Sequence, residues 1–151
     1  MRGEVIEVLE DRVVVDAGGV GYEVLAPQSL LHQMVTGAEA TIQIKHIVRE
    51  DGHYLFGFEN AQQKALFGLL TDVKGCGPKT ALALLTELGE SGISQGISTQ
   101  DVKMISRAQG VGPRLAERII VDLKDKIADY NLNSKVAAVQ PLGGIGLGPV
   151  N

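Results

Sequence analysis

The sequence is poor in residues that cross-link chains, bind zinc or stack on nucleic-acid bases. Cys76 is the single cysteine, so no disulfide can form within the chain. The three histidines, His32, His46 and His53, lack the spacing of zinc ligands. There is no tryptophan, and aromatic residues make up only 4% of the 151 residues. We therefore expect no metal, no cofactor and no dense platform for base stacking.

Long apolar stretches are also lacking. No run approaches the roughly 20 residues that a membrane-spanning helix needs, so we expect no membrane association. The start, Met1-Arg2-Gly3-Glu4, has no apolar signal-peptide core. Both observations favour a cytoplasmic location.

Charge is divided unevenly along the chain, whose net charge is −4. Residues 1–60 contain 4 Lys and Arg against 10 Asp and Glu, a net charge of −6. Residues 61–151 contain 10 against 8, a net charge of +2. Because the local field decides where nucleic acid docks, the acidic total does not exclude a nucleic-acid partner for the second half.

One short motif occurs twice, at residues 73–85 and again 35 residues later at 108–120. Each copy has glycine, one apolar residue, glycine, proline and a cation, followed by an alanine and two aliphatic residues at matching positions. Paired glycines permit positive φ and close approach of a ligand, and proline is preorganised for a first helical turn. Each copy therefore predicts a tight turn that begins a helix.

The chemistry of such a turn favours a phosphate. The free N–H groups and the dipole of a helix N-terminus attract anions, and a backbone contact of this kind reads no base. One copy alone would be interpreted as a structural corner. Two copies with the cation in register favour a polymer with repeated phosphates. The predicted phosphate-binding residues are Gly75, Gly77, Lys79, Gly110, Gly112, Arg114, Arg118 and Lys74.

The first part of the chain alternates apolar and polar residues with period two, which is typical of strands. We predict strands at residues 2–9, 12–17, 22–25, 40–48 and 53–58, with a short helix from Pro27 to Met34. Short strands with one intervening helix in about 58 residues suggest a small β-barrel of the OB type.

At Glu59-Asn60 the period changes to that of a helix, and Asn60 is a predicted N-cap with Gln63 three residues on. Further helices are predicted from Pro78 to Leu88, from Ser98 or Thr99 to about Arg107, and from Pro113 to about Asp129, with a loop at residues 91–96. The predicted fold class is thus α+β and multidomain. The predicted domains are an OB-type β-barrel (1–59), an all-α tandem helix–hairpin–helix domain (60–130) and a flexible Gly/Pro-rich linker or tail (131–151).

The acidic pair Glu50-Asp51 precedes Gly52, and Asp-Gly is a strong hairpin signal. Two carboxylates at a hairpin tip would repel phosphates, since like charges 4 Å apart cost roughly 4 kcal/mol at an effective dielectric of 20. The pair therefore cannot serve affinity, although it could keep strands apart. No Ser/His/Asp or Cys/His arrangement suggests a catalytic residue, and Cys76 is interpreted as a packing residue of the first turn.

Together these segments closely resemble the RuvA family, the Holliday-junction-binding subunits of bacterial branch-migration complexes. The resemblance rests on the glycine-rich hairpin at residues 14–24, the strand pair around Val48-Arg49-Glu50-Asp51 and residues 54–58, and the two helix–hairpin–helix motifs. It covers residues 1 to about 130. One departure is Pro113-Arg114, where the family more often has a lysine pair.

The resemblance implies a non-catalytic subunit that holds four-way DNA junctions open and planar in recombination, DNA repair and the SOS response to DNA damage. It implies a homotetramer and leaves open whether one or two tetramers bind each junction. Glu50 and Asp51 match the family's acidic pin at the junction centre. ATP hydrolysis belongs to the partner RuvB hexamer. Family members continue into a domain that contacts RuvB, so we expect that domain to be absent from this chain.

Two other classes of function stay open on the residues alone. A helix–hairpin–helix glycosylase or nuclease needs a catalytic Lys or Asp, or a carboxylate cluster for metal; Asp122 and Asp125 are the nearest candidates and are better explained as an exposed face paired with Lys126. A structure-independent DNA or single-strand binder would use the barrel face, where the aromatic residues are few: Tyr22, Tyr54, Phe56 and Phe58.

Overall fold

Strands form the first part of the protein and helices the rest. The computed structural model describes residues 1–144, with side chains described through residue 133. The strands are β1 (Arg2–Val8), β2 (Arg12–Ala17), β3 (Val20–Leu25), β4 (Glu39–Thr41), β5 (Gln43–Arg49) and β6 (Gly52–Phe58). The helices are α1 (Gln28–Leu31), α2 (Ala61–Thr71), α3 (Pro78–Ser98), α4 (Val102–Ile105) and α5 (Pro113–Gly144). The predicted α+β class is confirmed.

The strands form one six-stranded sheet in the order β4-β1-β2-β3-β6-β5. Neighbours are antiparallel except β3 and β6, which are parallel. The two edge strands, β4 and β5, follow each other in the chain and are separated only by Ile42. The sheet must therefore curl until its edges approach, which gives the predicted OB-like barrel.

Ile42 corrects the prediction of one strand over residues 40–48. Its side chain is buried in the barrel. Its N–H donates to the carbonyl of Met1 at 2.7 Å, and its own carbonyl accepts from the Met1 amino group at 2.7 Å. These bonds extend the β4–β1 register, in which Thr41 lies opposite Arg2, by one residue. From Gln43 onward the chain pairs with β6 instead, so residues 40–48 are divided between two neighbours.

Alternate residues of the strands fill the barrel interior. Val5, Val13, Val15 and Val24 are buried there with Ile42, which is the period-two burial expected of a half-exposed sheet. The interior is tight where strands cross. A Cβ added at Gly3 would lie 2.3 Å from the carbonyl oxygen of Asp16.

A second core joins the outer face of the barrel to the helices. Phe56 and Phe58 from β6 contact Phe67 of α2, with ring centroids 5.3 and 4.8 Å from it. Leu25 of β3 belongs to the same buried cluster as the apolar faces of α2, α3 and α5. This core extends across the predicted boundary at residue 59, so the division into domains stays a prediction.

The predicted start of α2 is confirmed. The Asn60 side chain accepts a hydrogen bond from the N–H of Gln63 at 2.8 Å. The side-chain oxygen Oε1 of the buried Gln63 in turn accepts a hydrogen bond from the backbone N–H of Glu59 at 2.8 Å. The first bond satisfies an N–H group that a helix N-terminus leaves without a partner. The second holds the residue before the N-cap against the first turn.

The segment predicted as a loop at residues 91–96 is helical, and the prediction was wrong. The helix that begins at Pro78 does break at Gly89, which has φ 72° and ψ 174°. Helix resumes through Ser98 because Ile93 and Ile97, four residues apart, are both fully buried. Burial of two apolar residues at helical spacing thus stabilises a helix here, although the glycines and serines suggested a loop.

The next two helices also differ from prediction at their ends. Asp101, not Ser98 or Thr99, caps α4, and its side chain accepts from the N–H of Met104 at 3.1 Å. The helix α5 does not end near Asp129 but continues to Gly144. No glycine or proline occurs between residues 130 and 140 to stop it.

The predicted tail at residues 131–151 therefore begins within α5. Residues 145–151 lie outside the described residues, and the flexibility of the tail stays a prediction. Among the described residues, no helix has both the length and the apolar character needed to cross a membrane.

The crowding at Gly3 predicts a stability difference between two glycine substitutions. Gly3→Ala should lower the free energy of unfolding by about 1–3 kcal/mol, because the added methyl meets backbone that cannot rotate away. Gly68→Ala in α2 meets nothing within 4 Å, so it should raise that free energy by up to about 1 kcal/mol. Urea denaturation measures both, and equal effects of the two variants would contradict the packing described for β1.

Candidate nucleic-acid interface

The first glycine motif forms a tight turn between α2 and α3. The N–H of Cys76 donates to the carbonyl of Val73 at 3.0 Å. Gly75 has φ 94°, a left-handed conformation that side chains rarely adopt. Gly77 is the N-cap residue of α3, and its carbonyl accepts the first helical bond, from the N–H of Ala81 at 3.0 Å. The buried Cys76 side chain anchors this turn from inside.

The second motif repeats this geometry between α4 and α5. The N–H of Val111 donates to the carbonyl of Ala108 at 3.1 Å. Gly110 has φ 86°, and the carbonyl of Gly112 accepts from the N–H of Ala116 at 3.0 Å. Val111 is buried as Cys76 is. The predicted repeat of sequence is therefore a repeat of structure.

Each turn packs on the helix that follows the other turn. A Cβ at Gly75 would lie 3.5 Å from Cδ1 of Leu115, and a Cβ at Gly110 would lie 3.7 Å from Oγ1 of Thr80. Thr80 and Leu115 occupy equivalent positions, each five residues after its own glycine. The contacts are reciprocal, so a local two-fold relation places the two turns side by side.

The predicted phosphate-binding residues lie at the surface of these turns. A Cβ at either Gly77 or Gly112 would meet nothing within 4 Å, so the backbone there faces open space. The four predicted cations are exposed: Lys74, Lys79, Arg114 and Arg118. The structure thus brings the two halves of the predicted site together on adjacent turns.

The cations differ in their surroundings. Arg118 lies one turn from Asp122 on α5, with Nε 3.8 Å from Oδ2, so part of its field is offset. Lys79 lies in the cleft between the barrel and the helices. There the pKa of Asp11 is lowered first by a hydrogen bond from Arg12 and to a smaller extent by the charge of Lys79.

The acidic pair occupies the tip of the β5–β6 hairpin. Arg49 pairs with Gly52, which leaves Glu50 and Asp51 as an exposed two-residue turn and confirms the predicted hairpin. Oδ2 of Asp51 accepts a hydrogen bond from the Tyr54 hydroxyl at 2.9 Å. This bond raises the pKa of Tyr54 and holds the Asp51 carboxylate against the strand.

Sequence reasoning missed a pair of histidines on the same hairpin. Nε2 of His46 and Nδ1 of His53 are 3.0 Å apart, and the ring centroids are 5.1 Å apart with an interplanar angle of 29°. His53 lies opposite Val48, so His46 is its diagonal neighbour across the strands. The Asp-Gly turn fixes that register, and the pair could have been found by counting back from the turn on both strands.

No group of three or more His, Cys, Asp or Glu side chains that could hold a metal ion occurs in the part of the chain that the structure describes. Cys76 is buried, and burial raises the pKa of its thiol to about 11. These surroundings suit packing and not nucleophilic chemistry.

Comparison with known proteins matches two segments of the chain to described domains. The RuvA N terminal domain matches residues 1–57, and the SAM-like helix-hairpin-helix tandem matches residues 67–125. Among similar proteins, a subunit of Nocardia farcinica is 42% identical over 127 residues, covering 84% of this chain and 63% of its own length. One of Deinococcus radiodurans is 44% identical over 130 residues, covering 86% of this chain and 65% of its own.

A third relative, from Rhodococcus jostii, is 38% identical over 150 residues, covering 99% of this chain and 74% of its own. All three are described as Holliday junction branch migration complex subunit RuvA. The chain spans just under two thirds of the length of the Nocardia and Deinococcus relatives.

The environment of Cys76 predicts a protected thiol. With a pKa of about 11, only about one thiol in a thousand is ionised at pH 8, and the thiolate is the reactive form. Modification by iodoacetamide at pH 8 should therefore be far slower in the folded protein than in urea, as measured by mass spectrometry. Equal rates in the two states would contradict the burial of the first turn.

Proposed function

The chain belongs to the RuvA family, and from that membership we propose that it is a non-catalytic DNA-binding subunit that recognises four-way (Holliday) junctions. The observation that carries the proposal is the pair of exposed glycine turns held side by side by Gly75, Leu115, Gly110 and Thr80. Paired turns present two sets of helix N-terminal amides to one surface, which suits successive phosphates of one duplex arm.

The proposed contacts are to the sugar–phosphate backbone. The amides near Gly77 and Gly112 approach the phosphates, and Lys79 and Arg114 supply the opposing charge, with Lys74 and Arg118 beside them. Backbone amides carry no information on base identity. The selectivity we propose is therefore for the shape of branched DNA and not for its sequence.

The acidic tip supplies the preference for a crossover. Glu50 and Asp51 form the exposed tip of the β5–β6 hairpin and repel phosphates that approach them. Four such tips at the centre of a homotetramer would keep the strands of an open junction apart and disfavour continuous duplex. One or two tetramers on each junction are both compatible with this arrangement.

In this proposal the energy for branch migration comes from a partner. A RuvB-type ATPase hexamer would act as the motor, with this chain as its DNA-specificity scaffold in recombination and repair in the cytoplasm. The rival proposal of a DNA-cleaving enzyme is weakened at its best candidate, because Asp122 is paired with Arg118 at 3.8 Å on an exposed helix face.

Affinity for a four-way junction and for duplex of the same length, measured at matched salt, tests the proposal. The affinity for the junction should be well above that for the duplex. A plot of log affinity against log salt concentration should be linear, with a slope of about −0.9 for each phosphate contacted. Lys79→Gln and Arg114→Gln should each reduce that slope by about 1. Equal affinity for junction and duplex would overturn the proposal.

The turn glycines predict separate effects on folding and on binding. Gly112→Ser adds a side chain in open space without requiring positive φ, and serine is favoured before a helix. The variant should keep the free energy of unfolding but lose junction affinity, because the side chain occupies the approach of a phosphate. Gly110→Ala, at φ 86°, should instead lower the free energy of unfolding by about 1–2 kcal/mol. Unchanged junction affinity of the folded Gly112→Ser protein would exclude this turn from the DNA surface.

The acidic tip predicts a change in selectivity. The double variant Glu50→Gln, Asp51→Asn keeps the size of both side chains and an acceptor for Tyr54, but removes two negative charges. Duplex affinity should rise, so that the ratio of junction to duplex affinity falls. Glu7→Gln, at an exposed position of β1, is the control for loss of charge elsewhere, and an equal effect of that variant would contradict a local role for the tip.

A further inference from the structure

A groove of about 680 Å³ lies where the barrel meets the first glycine turn. Four strands, β2, β3, β5 and β6, contribute its walls together with α3, and we call it the histidine groove. Its volume is in the range that holds a small ligand. The residues used here are Arg12, Tyr22, His46, His53, Tyr54 and Lys79.

The groove opens because β3 and β6 pair over only a short length. Their parallel register consists of Val24 with Leu55 and Leu25 with Phe56. One residue earlier are Glu23 on β3 and Tyr54 on β6, and two residues earlier are Tyr22 and His53; the pairing does not extend to these positions. Histidine and tyrosine side chains therefore line the gap that remains where the pairing of β3 and β6 stops.

The two histidines form a preorganised surface. Their 3.0 Å N···N contact fixes one ring against the other, with centroids 5.1 Å apart. Both residues are exposed, so the rings can be contacted without any rearrangement of the core. Histidine and tyrosine rings are common stacking partners for unpaired bases.

We propose that the histidine groove binds one unpaired nucleotide of single-stranded DNA, with its base stacked on His46 and His53 and its phosphate on Lys79. The charges of the lining residues favour a phosphate at Lys79. Arg12 is already engaged, through Nε to Asp11 at 2.9 Å and Nη1 to Glu23 at 2.8 Å. Lys79, by contrast, makes no ion pair among the residues whose side chains the structure describes, so it is the lining cation available to a phosphate.

The groove also connects the two parts of the proposed junction site. Lys79 belongs to the helix of the first turn, and Tyr54 is hydrogen-bonded to Asp51 of the acidic tip. A nucleotide unpaired at a crossover therefore has a site between them. This last step rests on the proposed function, whereas binding of a single strand in the groove does not.

A short thymidine oligonucleotide carrying one 2-aminopurine tests the proposal, with the full chain as the protein. Binding should quench the 2-aminopurine fluorescence, because the base stacks. His46→Ala and His53→Ala should each weaken binding about tenfold and reduce the quenching. His32→Ala, which removes an exposed histidine of α1's C-cap outside the groove, should change neither. His53→Phe keeps a ring and should retain the quenching.

Absence of quenching at saturating protein would overturn the proposal, as would equal effects of His53→Ala and His32→Ala. A third contrary result would come from NMR spectra of the protein, if the resonances of the groove residues shifted with protein concentration and not with added oligonucleotide. The last result would assign the groove to contact between copies of the chain. Gly112→Ser separates this proposal from junction binding, because it should lower junction affinity and leave oligonucleotide quenching unchanged. Lys79 is unsuitable for the test, since it belongs to both sites.

Discussion

The reciprocal contact between the two glycine turns is the constraint on which the candidate interface depends. Gly75 packs beside Leu115, and Gly110 packs beside Thr80. Either turn alone would be a corner between helices with one exposed N-terminus. The exchange of contacts fixes the spacing and direction of both N-termini. In the proposed function, the backbone of the two turns would therefore define the path of a phosphate chain without help from flexible surface cations.

The barrel is attached to this helical unit through a shared aromatic core. Phe56 and Phe58 lie on the strand that also carries the acidic tip, and both contact Phe67 of α2. Burial of such rings is worth a few kcal/mol each. The hairpin is therefore held at a defined position relative to the turns, which the proposed selectivity for DNA shape requires.

Turns, caps and hairpins were predictable from the sequence, whereas features that depend on tertiary contacts were not. The two turns, the Asp-Gly hairpin and the Asn60 cap each depend on residues within a few positions of one another, and each is present. The change of partner strand after Ile42, from β1 to β6, depends on segments distant in the chain. The helix through Ile93 and Ile97 depends on their burial, which the neighbouring glycines and serines do not indicate. The histidine pair was missed because it depends on the β5–β6 register, which brings together two residues that are seven positions apart in the chain. In the proposed function, the choice of DNA depends on how copies of the chain assemble, which local sequence patterns do not indicate.

The position of Lys79 at both the first turn and the histidine groove has a thermodynamic consequence. One ammonium group cannot neutralise two phosphates as fully as it neutralises one, so occupancy of either place weakens the other by the same factor. A strand that gives up a nucleotide to the groove would thereby loosen the grip on its own duplex arm. Under the two proposals, binding in the groove and binding of a duplex arm at the first turn would therefore be antagonistic.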